Sequence, residues 1–432
     1  MNIPFRQGDG LPTSLLLSYS DIRGGAARAA QRLHVALRRA GAESRMLVQN
    51  KAGDDPDVIG STGALQRRWA TVRPYVDFAP ARLFRRGAGV PYSVGWLPSG
   101  QVGRIGMLSA DILHLHWVAG GMLSVGDVAR LPGPLVWTLH DMWAFTGGCH
   151  YDGGCGRFVS GCGPCPVLGS TFAHDLSRWS WGRKKRLLRR DDLVIVAPSR
   201  WLAAEAARSA VLATHDIRVI PNALDTALFK PVDREAARRV LGLPVDRPIV
   251  MFAAMNATGD GRKGFRHLDH ALRRLAESGT RPLALIAGSD GPAGAQAVPL
   301  EARYLGTIED EALLAAAYCA ADVFVAPSEQ ENLSNAVVEA MACGTPCIAF
   351  RVGGMPDLID HGENGFLAEP LVAADLARCI GELLDATPTL RHILGVRARE
   401  KIVGMCEEGA VARRHLALYA ELKDQQTKER PR

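Results

Sequence analysis

Two glutamates punctuate the segment Ala326-Pro-Ser-Glu-Gln-Glu331-Asn-Leu-Ser-Asn335-Ala-Val-Val-Glu339-Ala-Met-Ala-Cys-Gly344-Thr-Pro346. An apolar run that closes near Ser328 reads as a strand end. Asn335 reads as the N-cap of a small-residue helix and Gly344 as its left-handed stop. The backbone amides of Leu333, Ser334 and Asn335 then point out of a helix N-terminus, the geometry that receives phosphate oxygens. Glu331 precedes the helix and Glu339 lies one turn inside it. Two carboxylates cannot both ligate phosphate, but they can accept hydrogen bonds from hydroxyls of a ribose and a hexose on either side of it.

Three other clusters could carry chemistry. In Asp21-Ile-Arg-Gly24-Gly25-Ala-Ala-Arg28, a glycine pair between strand and helix lets the backbone approach a ligand, although a plain tight turn explains it equally. His116 in His114-Leu-His116-Trp117 and His140 in Thr138-Leu-His140-Asp141 end two apolar runs, where packing is the ordinary role of a single histidine. Asp141 either orients an imidazole or ends its strand. Finally, Cys149, Cys155, Cys162 and Cys165 crowd the glycine-rich stretch 147–166. Four thiols can close a tetrahedral zinc shell, which would make the metal structural, and reduced thiols or disulfides are the alternatives.

These residues need elements to hold them, and the apolar patterning supplies two sets. The runs Ser14–Asp21, Ser44–Asn50, Asp111–Trp117, Pro134–Asp141, Leu193–Arg200 and Ile217–Asn222 come first. Pro248–Met255, Leu283–Asp290, Tyr304–Thr307, Asp322–Ser328 and Pro346–Gly353 follow. Helical periodicity separates several of them, at Ala26–Ala40, Arg266–Glu277, Asp310–Ala320 and Asn335–Cys343. Near-continuous Val/Ile/Leu/Ala runs suit parallel strands covered on both faces, so the class is α/β with doubly wound sheets. The expected division is 1–225, 226–405 and a last helix in 406–432 that returns to the first domain. Ligands of such sheets bind beyond the carboxyl ends of the strands, here in a cleft between the two domains.

The Glu331–Glu339 segment resembles the E-x7-E motif of the family 4 retaining glycosyltransferases, which have the GT-B fold of two Rossmann-like domains. Gly353-Gly354-Met-Pro356-Asp357 and Asn364-Gly365-Phe-Leu also fit, and the exopolysaccharide enzymes of colanic-acid type are the most similar in appearance. The resemblance implies a nucleotide-diphosphate sugar as donor and a saccharide or lipid-linked acceptor. It places Glu331 on the donor sugar, Glu339 on the ribose, His140 near the transferring sugar and Gly24–Gly25 by the phosphates. It puts Lys263, in Lys263-Gly264-Phe265, on the diphosphate. The wider family sets an arginine several residues earlier, whereas here Arg262 adjoins the lysine and takes its place. A cation is needed there because the leaving group gains charge in the transition state. The implied front-face route uses no enzyme nucleophile and no catalytic metal. Asp55-Pro-Asp57 reads as a loop. A nucleotide-sugar epimerase of the same architecture and a zinc-stabilised scaffold without activity are the competing readings.

At 432 residues, with 47% hydrophobic and 22% charged residues, the chain reads as a soluble protein of two domains. No apolar run suggests a membrane span and the start does not resemble a signal peptide, so the cytoplasm is the expected compartment. The net charge of +6 is modest and nothing resembles a nucleic-acid-binding module. Its distribution is uneven, however. Arg183–Arg190 beside Trp179 and Trp181, and Arg67 to Arg86 with Trp69 and Phe84, are basic and aromatic together. A solvated face is the plainer reading; peripheral contact with an anionic membrane is the sharper one.

Overall fold

Two all-parallel sheets organise the protein, described here from a computed structural model for residues 10–61, 63–84, 91–257, 259–291 and 300–429. Arg85 and Arg86 of the second basic stretch lie outside the described residues. The chain divides into two units: one comprises the residues up to Ala223 and those from Glu408 onward, the other Leu224–Glu407.

In the first unit β1 (Ser14–Ser20), β2 (Ser44–Asn50), β3 (Val58–Ile59), β4 (Ile112–Leu115), β5 (Leu135–Thr138), β6 (Leu193–Ala197) and β7 (Asp216–Val219) pair in the order β3-β2-β1-β4-β5-β6-β7. In the second, β8 (Ile249–Ala253), β9 (Leu283–Ala287), β10 (Ala302–Tyr304), β11 (Val323–Ala326), β12 (Cys347–Phe350) and β13 (Gly365–Ala368) pair in the order β10-β9-β8-β11-β12-β13. Both are doubly wound Rossmann-like sheets. Each reverses its winding once, between β1 and β4 and between β8 and β11. Ligand sites in open α/β sheets form at such reversals, beyond the carboxyl ends of the strands.

The central strands carry Leu, Val, Ile and Ala with almost no polar interruption because helices cover both faces. Leu15, Leu17, Leu115, Trp137 and Ile195 face one layer of the first unit, and Leu16, Met46, Val136 and Val194 face the other. Burying one such side chain contributes about 1.5–3 kcal/mol. The helix Gly25–Arg39 packs Ala30, Leu33 and Leu37 on that second layer. So does the last helix, Glu408–Glu429, through Val411, Ala412, Leu416, Tyr419 and Leu422.

Several boundaries differ from the sequence expectation. The strands stop earlier than their apolar runs: β5 ends at Thr138, and Leu139 to Asp141 already belong to the exit loop. The third strand of the second unit lies at Ala302–Tyr304 instead of Tyr304–Thr307. The edge strands β3 (Val58–Ile59) and β13 (Gly365–Ala368) fall outside the apolar runs expected as strands.

Candidate active site

In the second unit, the exits of β8 and β11 bring together the residues that the sequence singled out. After β8 the chain forms a short 3-10 turn, Gly261–Lys263, whose Asp260 side chain accepts from the Arg262 amide. Gly264 then turns left-handed, at φ 73°, into the helix Phe265–Glu277. A Cβ on Gly264 would stand 1.7 Å from the Pro327 carbonyl oxygen, so only glycine lets this turn lie against the β11 exit. The amide of Glu329 completes the junction by donating to the Arg262 carbonyl at 2.8 Å.

This junction delivers Lys263 Nζ to Glu331 Oε2 at 2.6 Å, with the carboxylate largely buried. Ser328 Oγ lies 3.5 Å from the same oxygen. Glu331 is fixed from behind: its carbonyl accepts from the Gly354 amide at 3.1 Å, and a Cβ on Gly353 would sit 1.8 Å from that carbonyl. Arg262 turns aside to pair with Asp260 Oδ2 at 2.7 Å, so it does not join the Lys263–Glu331 pair.

The helix after this loop is Asn335–Ala342, and its N-cap is Ser334, not Asn335. The Ser334 hydroxyl accepts from the Val337 amide, which makes Asn335 the first helical residue. Leu333 and Ser334 are buried beside Glu331 in sequence, so the helix start and the ion pair share one loop. Glu339 is buried one turn in, where Tyr318 Oη donates to its Oε2 at 2.9 Å. Tyr318 sits in the core edge-on to Phe324, a partner that no motif signals. Sequence reasoning also missed Glu329, whose Oε1 receives Arg266 Nη2 at 2.7 Å and faces His267 Nε2 at 3.2 Å.

In the first unit, Gly24 caps the helix Gly25–Arg39 at φ 104°, a conformation that favours glycine, just beyond β1. Asp21 closes the neighbouring turn by accepting from the amides of Ala52 and Gly53. Across the winding reversal, His116 Nδ1 lies 2.9 Å from His140 Nε2, and the rings stack. Burial pulls His140 down to about 4 against a weaker upward pull from Asp141, so its imidazole is neutral at ordinary pH. Burial and the neighbouring imidazoles also hold His116 well below its ordinary value, and its Nε2 has no partner. His114, stacked on His116, is locked between Tyr419 Oη at 2.6 Å and Thr138 Oγ1 at 2.7 Å.

Asp141 lies beyond the end of β5 at Thr138 and is the hub of the loop that follows. Its Oδ2 receives Trp117 Nε1 at 2.8 Å and faces His150 Nδ1 at 2.6 Å, while Oδ1 takes the Trp143 amide at 2.8 Å. Burial opposes its charge, but His150 and these donors hold the carboxyl below its usual range.

His150 opens the cysteine-rich segment, where Cys149, Cys162 and Cys165 are buried, Cys155 is half-buried and all four are free thiols. Burial pushes Cys162 up to about 12 and also raises the Cys149 thiol well above its ordinary value. Among the described residues no three His, Cys, Asp or Glu side chains converge as a metal site, so the zinc expectation gains no support from the geometry. The loop has other anchors. Tyr92 Oη donates to the Gly147 carbonyl at 2.6 Å, and Thr146 Oγ1 to the Cys149 carbonyl. Lys184 is fully buried, donates to the carbonyls of Trp143 and Thr146 and lies 4.2 Å over the Trp143 ring.

Asp55 and Asp57 belong to a turn that Arg38 pairs from the adjacent helix. No helix among the described residues is long and apolar enough to cross a membrane.

Known proteins are similar to this chain in sequence and in fold. Residues 23–228 match the family described as Glycosyltransferase Family 4, and residues 247–386 that described as Glycosyl transferases group 1. A D-inositol 3-phosphate glycosyltransferase of Acidothermus cellulolyticus is 32% identical over 65% of this chain and 60% of that protein. The enzyme of the same name from Xylanimonas cellulosilytica is 28% identical over 92% of this chain and 90% of its own length. Among solved structures, sucrose-phosphate synthase from Thermosynechococcus elongatus aligns with a TM-score of 0.69 at 23% identity, covering 96% of this chain and 99% of that one. Anabaena HepE, solved with UDP and glucose, aligns at 0.62 with 17% identity, over 95% of this chain and 99% of its own. At such identities the structural likeness speaks to fold, and the fold is GT-B. The two family matches and this shared architecture make the chain a member of the family 4 glycosyltransferases.

Proposed function

We propose that the protein transfers a hexosyl group from a nucleotide-diphosphate sugar to a saccharide or lipid-linked acceptor, with retention of anomeric configuration, in the synthesis of an exopolysaccharide or another surface glycan. The observation that carries this reading is the Lys263–Glu331 pair set beside a helix N-terminus at a winding reversal. An ammonium held on a carboxylate is poised to exchange that partner for a phosphate oxygen. In this reading the diphosphate takes Lys263 and the helix-start amides of Leu333, Ser334 and Asn335. Glu331, released, accepts a hydrogen bond from a hydroxyl of the donor sugar. The cation and the amides stabilise the charge that collects on the departing diphosphate, whose oxygen takes the acceptor's proton. Glu339, steadied by Tyr318, holds the ribose, and neutral His140 hydrogen-bonds the transferring sugar. The backbone at Gly24–Gly25 lies along the phosphates. Arg262 acts on the diphosphate only after leaving Asp260.

The relatives named for D-inositol 3-phosphate favour a second acceptor class, a phosphorylated polyol, within the same donor chemistry. A thermal-shift screen of nucleotide sugars on the whole chain comes first. The best donor is then incubated with saccharide, lipid-linked and inositol-phosphate acceptors. Proton NMR of the product should show the donor's anomeric configuration kept. Donor turnover without any acceptor, giving an isomeric nucleotide sugar, would instead identify an epimerase.

A further inference from the structure

The helix Ala64–Arg82 is inside out. It seats on its unit through Ala70, Arg73, Asp77 and Ala81. Arg73 Nε donates to the Gly121 carbonyl at 2.6 Å, and its Nη2 to the carbonyls of Leu97 and Pro98. Asp77 accepts from the amides of Gly95 and Trp96. Arg73 and Asp77 therefore face the protein, whereas Arg67, Arg68 and Arg82 stay at the surface. Phe78 packs half-buried against Ala81 and Tyr92, but most large apolar side chains face water: Leu65 is 82% exposed, Trp69 47%, Tyr75 62% and Leu83 86%.

These residues share one face. Leu65, Trp69, Val72, Val76, Ala79 and Leu83 recur at steps of four and three, the repeat that aligns side chains along one side of a helix. An apolar stripe normally marks the buried side of a surface helix, and here it is the side turned away. Arg68, Tyr75 and Arg82 run along its edge, seven residues apart. The helix has one acidic residue, Asp77, and that carboxylate is 1% exposed.

We propose that this face docks on an anionic phospholipid surface. An apolar stripe edged by arginine, with Trp and Tyr at headgroup depth, is the pattern of a helix lying in the plane of an interface. Charge selects the partner. A second copy of the chain would bring Arg68 and Arg82 towards their own kind with no exposed acid on the helix to meet them. Anionic headgroups complement both. The other basic run, in the helix Leu176–Leu187, does not offer such a face, because Lys184 and Trp181 turn inward. The proposal stands apart from sugar transfer and is tested without it.

The whole chain is sedimented with vesicles of phosphatidylcholine alone and of phosphatidylcholine with phosphatidylglycerol. Binding is expected to the anionic vesicles, falling as salt rises. The Arg68→Glu/Arg82→Glu pair should lower that partition at least about tenfold. The triple variant Leu65→Ser/Trp69→Ser/Leu83→Ser should do the same. Trp179→Ser, on the other helix, should leave it unchanged. All these side chains are exposed, so thermal melts should match wild type; should the triple variant melt early, the arginine pair decides. No binding at low salt, or equal binding of the arginine variant, overturns the proposal. So does a concentration-dependent dimer that the triple variant abolishes, which would assign the face to a second copy.

Discussion

Replacing Lys263 by alanine separates the catalytic from the structural worth of the ion pair. Lys263 is 28% exposed and Glu331 10%, with 2.6 Å between charged atoms. A partly solvated pair of this kind contributes at most about 1 kcal/mol by attraction alone. Its loss, however, strands a mostly buried carboxylate whose remaining neighbour, Ser328 Oγ, is 3.5 Å away. That geometry is too long for a full hydrogen bond. The expected destabilisation is about 1–2 kcal/mol, a drop in Tm of a few degrees. Removing a fixed donor from a departing oxyanion costs about 10²–10³ in kcat, or about 3–4 kcal/mol of barrier. A protein with ordinary stability stays almost wholly folded after so small a loss, so the two effects are separable. The double variant Lys263→Ala/Glu331→Gln sharpens the contrast. It removes the stranded charge, so Tm should recover, while turnover should stay low. Melting curves, calorimetric titration with nucleoside diphosphates and turnover of the identified donor read the three quantities. Turnover of Lys263→Ala within about threefold of wild type would refute the phosphate role of the lysine. A double variant melting no higher than the single would refute the stranded-charge argument.

Three further outcomes follow from the geometry. Gly264→Ala combines a left-handed backbone with a Cβ 1.7 Å from the Pro327 carbonyl, so chemical denaturation should show a loss of at least about 3 kcal/mol. His116→Phe keeps the stack on His114 and deletes the 2.9 Å contact to His140. Turnover should fall about tenfold with nucleoside-diphosphate affinity unchanged, which titration and kinetics on one preparation will show. The third concerns pH: burial holds His140 and His415 at about 4, below the 6.5 of an exposed histidine. Between those values the unfolded chain takes up protons that the folded one refuses, so stability is flat above about pH 6.5 and falls as the pH drops towards 4. Urea midpoints at neutral pH and near pH 5 measure it, and a midpoint that does not move would contradict the buried, neutral state.

The sheets were legible because parallel strands buried on both faces leave an apolar run that no surface element imitates. Their ends were not. Leu139-His140-Asp141 continues the hydrophobic-to-polar pattern of β5, yet leaves the sheet to meet the loops that follow. The loop Glu331–Asn335 was read correctly in kind and misread by one residue at its cap, since Ser and Asn are nearly equal N-caps and only the bond to the Val337 amide distinguishes them. Long-range partners left no local trace. Tyr318 reaches Glu339 from another helix, and Tyr419 reaches His114 from the last one. The four cysteines have a spacing that suggests a metal, while the ties of their loop to Tyr92, Thr146 and Lys184 left no mark in the sequence. The reversed polarity of Ala64–Arg82 was equally hidden, because composition names the residues of a helix and not the side it turns inward.

The last helix carries a consequence for how the protein is made. Tyr419 fills the layer against Val136 and Val194 and bonds His114 of β4, while Val411 and Leu422 extend the same contact. The unit whose strands are synthesised earlier is thus finished by residues made only after the whole of Leu224–Glu407. The second unit, contiguous in sequence, has all its strands available before the first can close. Until Glu408–Glu429 leaves the exit tunnel, the layer around Leu16, Val136 and Val194 lacks its cover, which makes the nascent first unit the natural client of a holding chaperone.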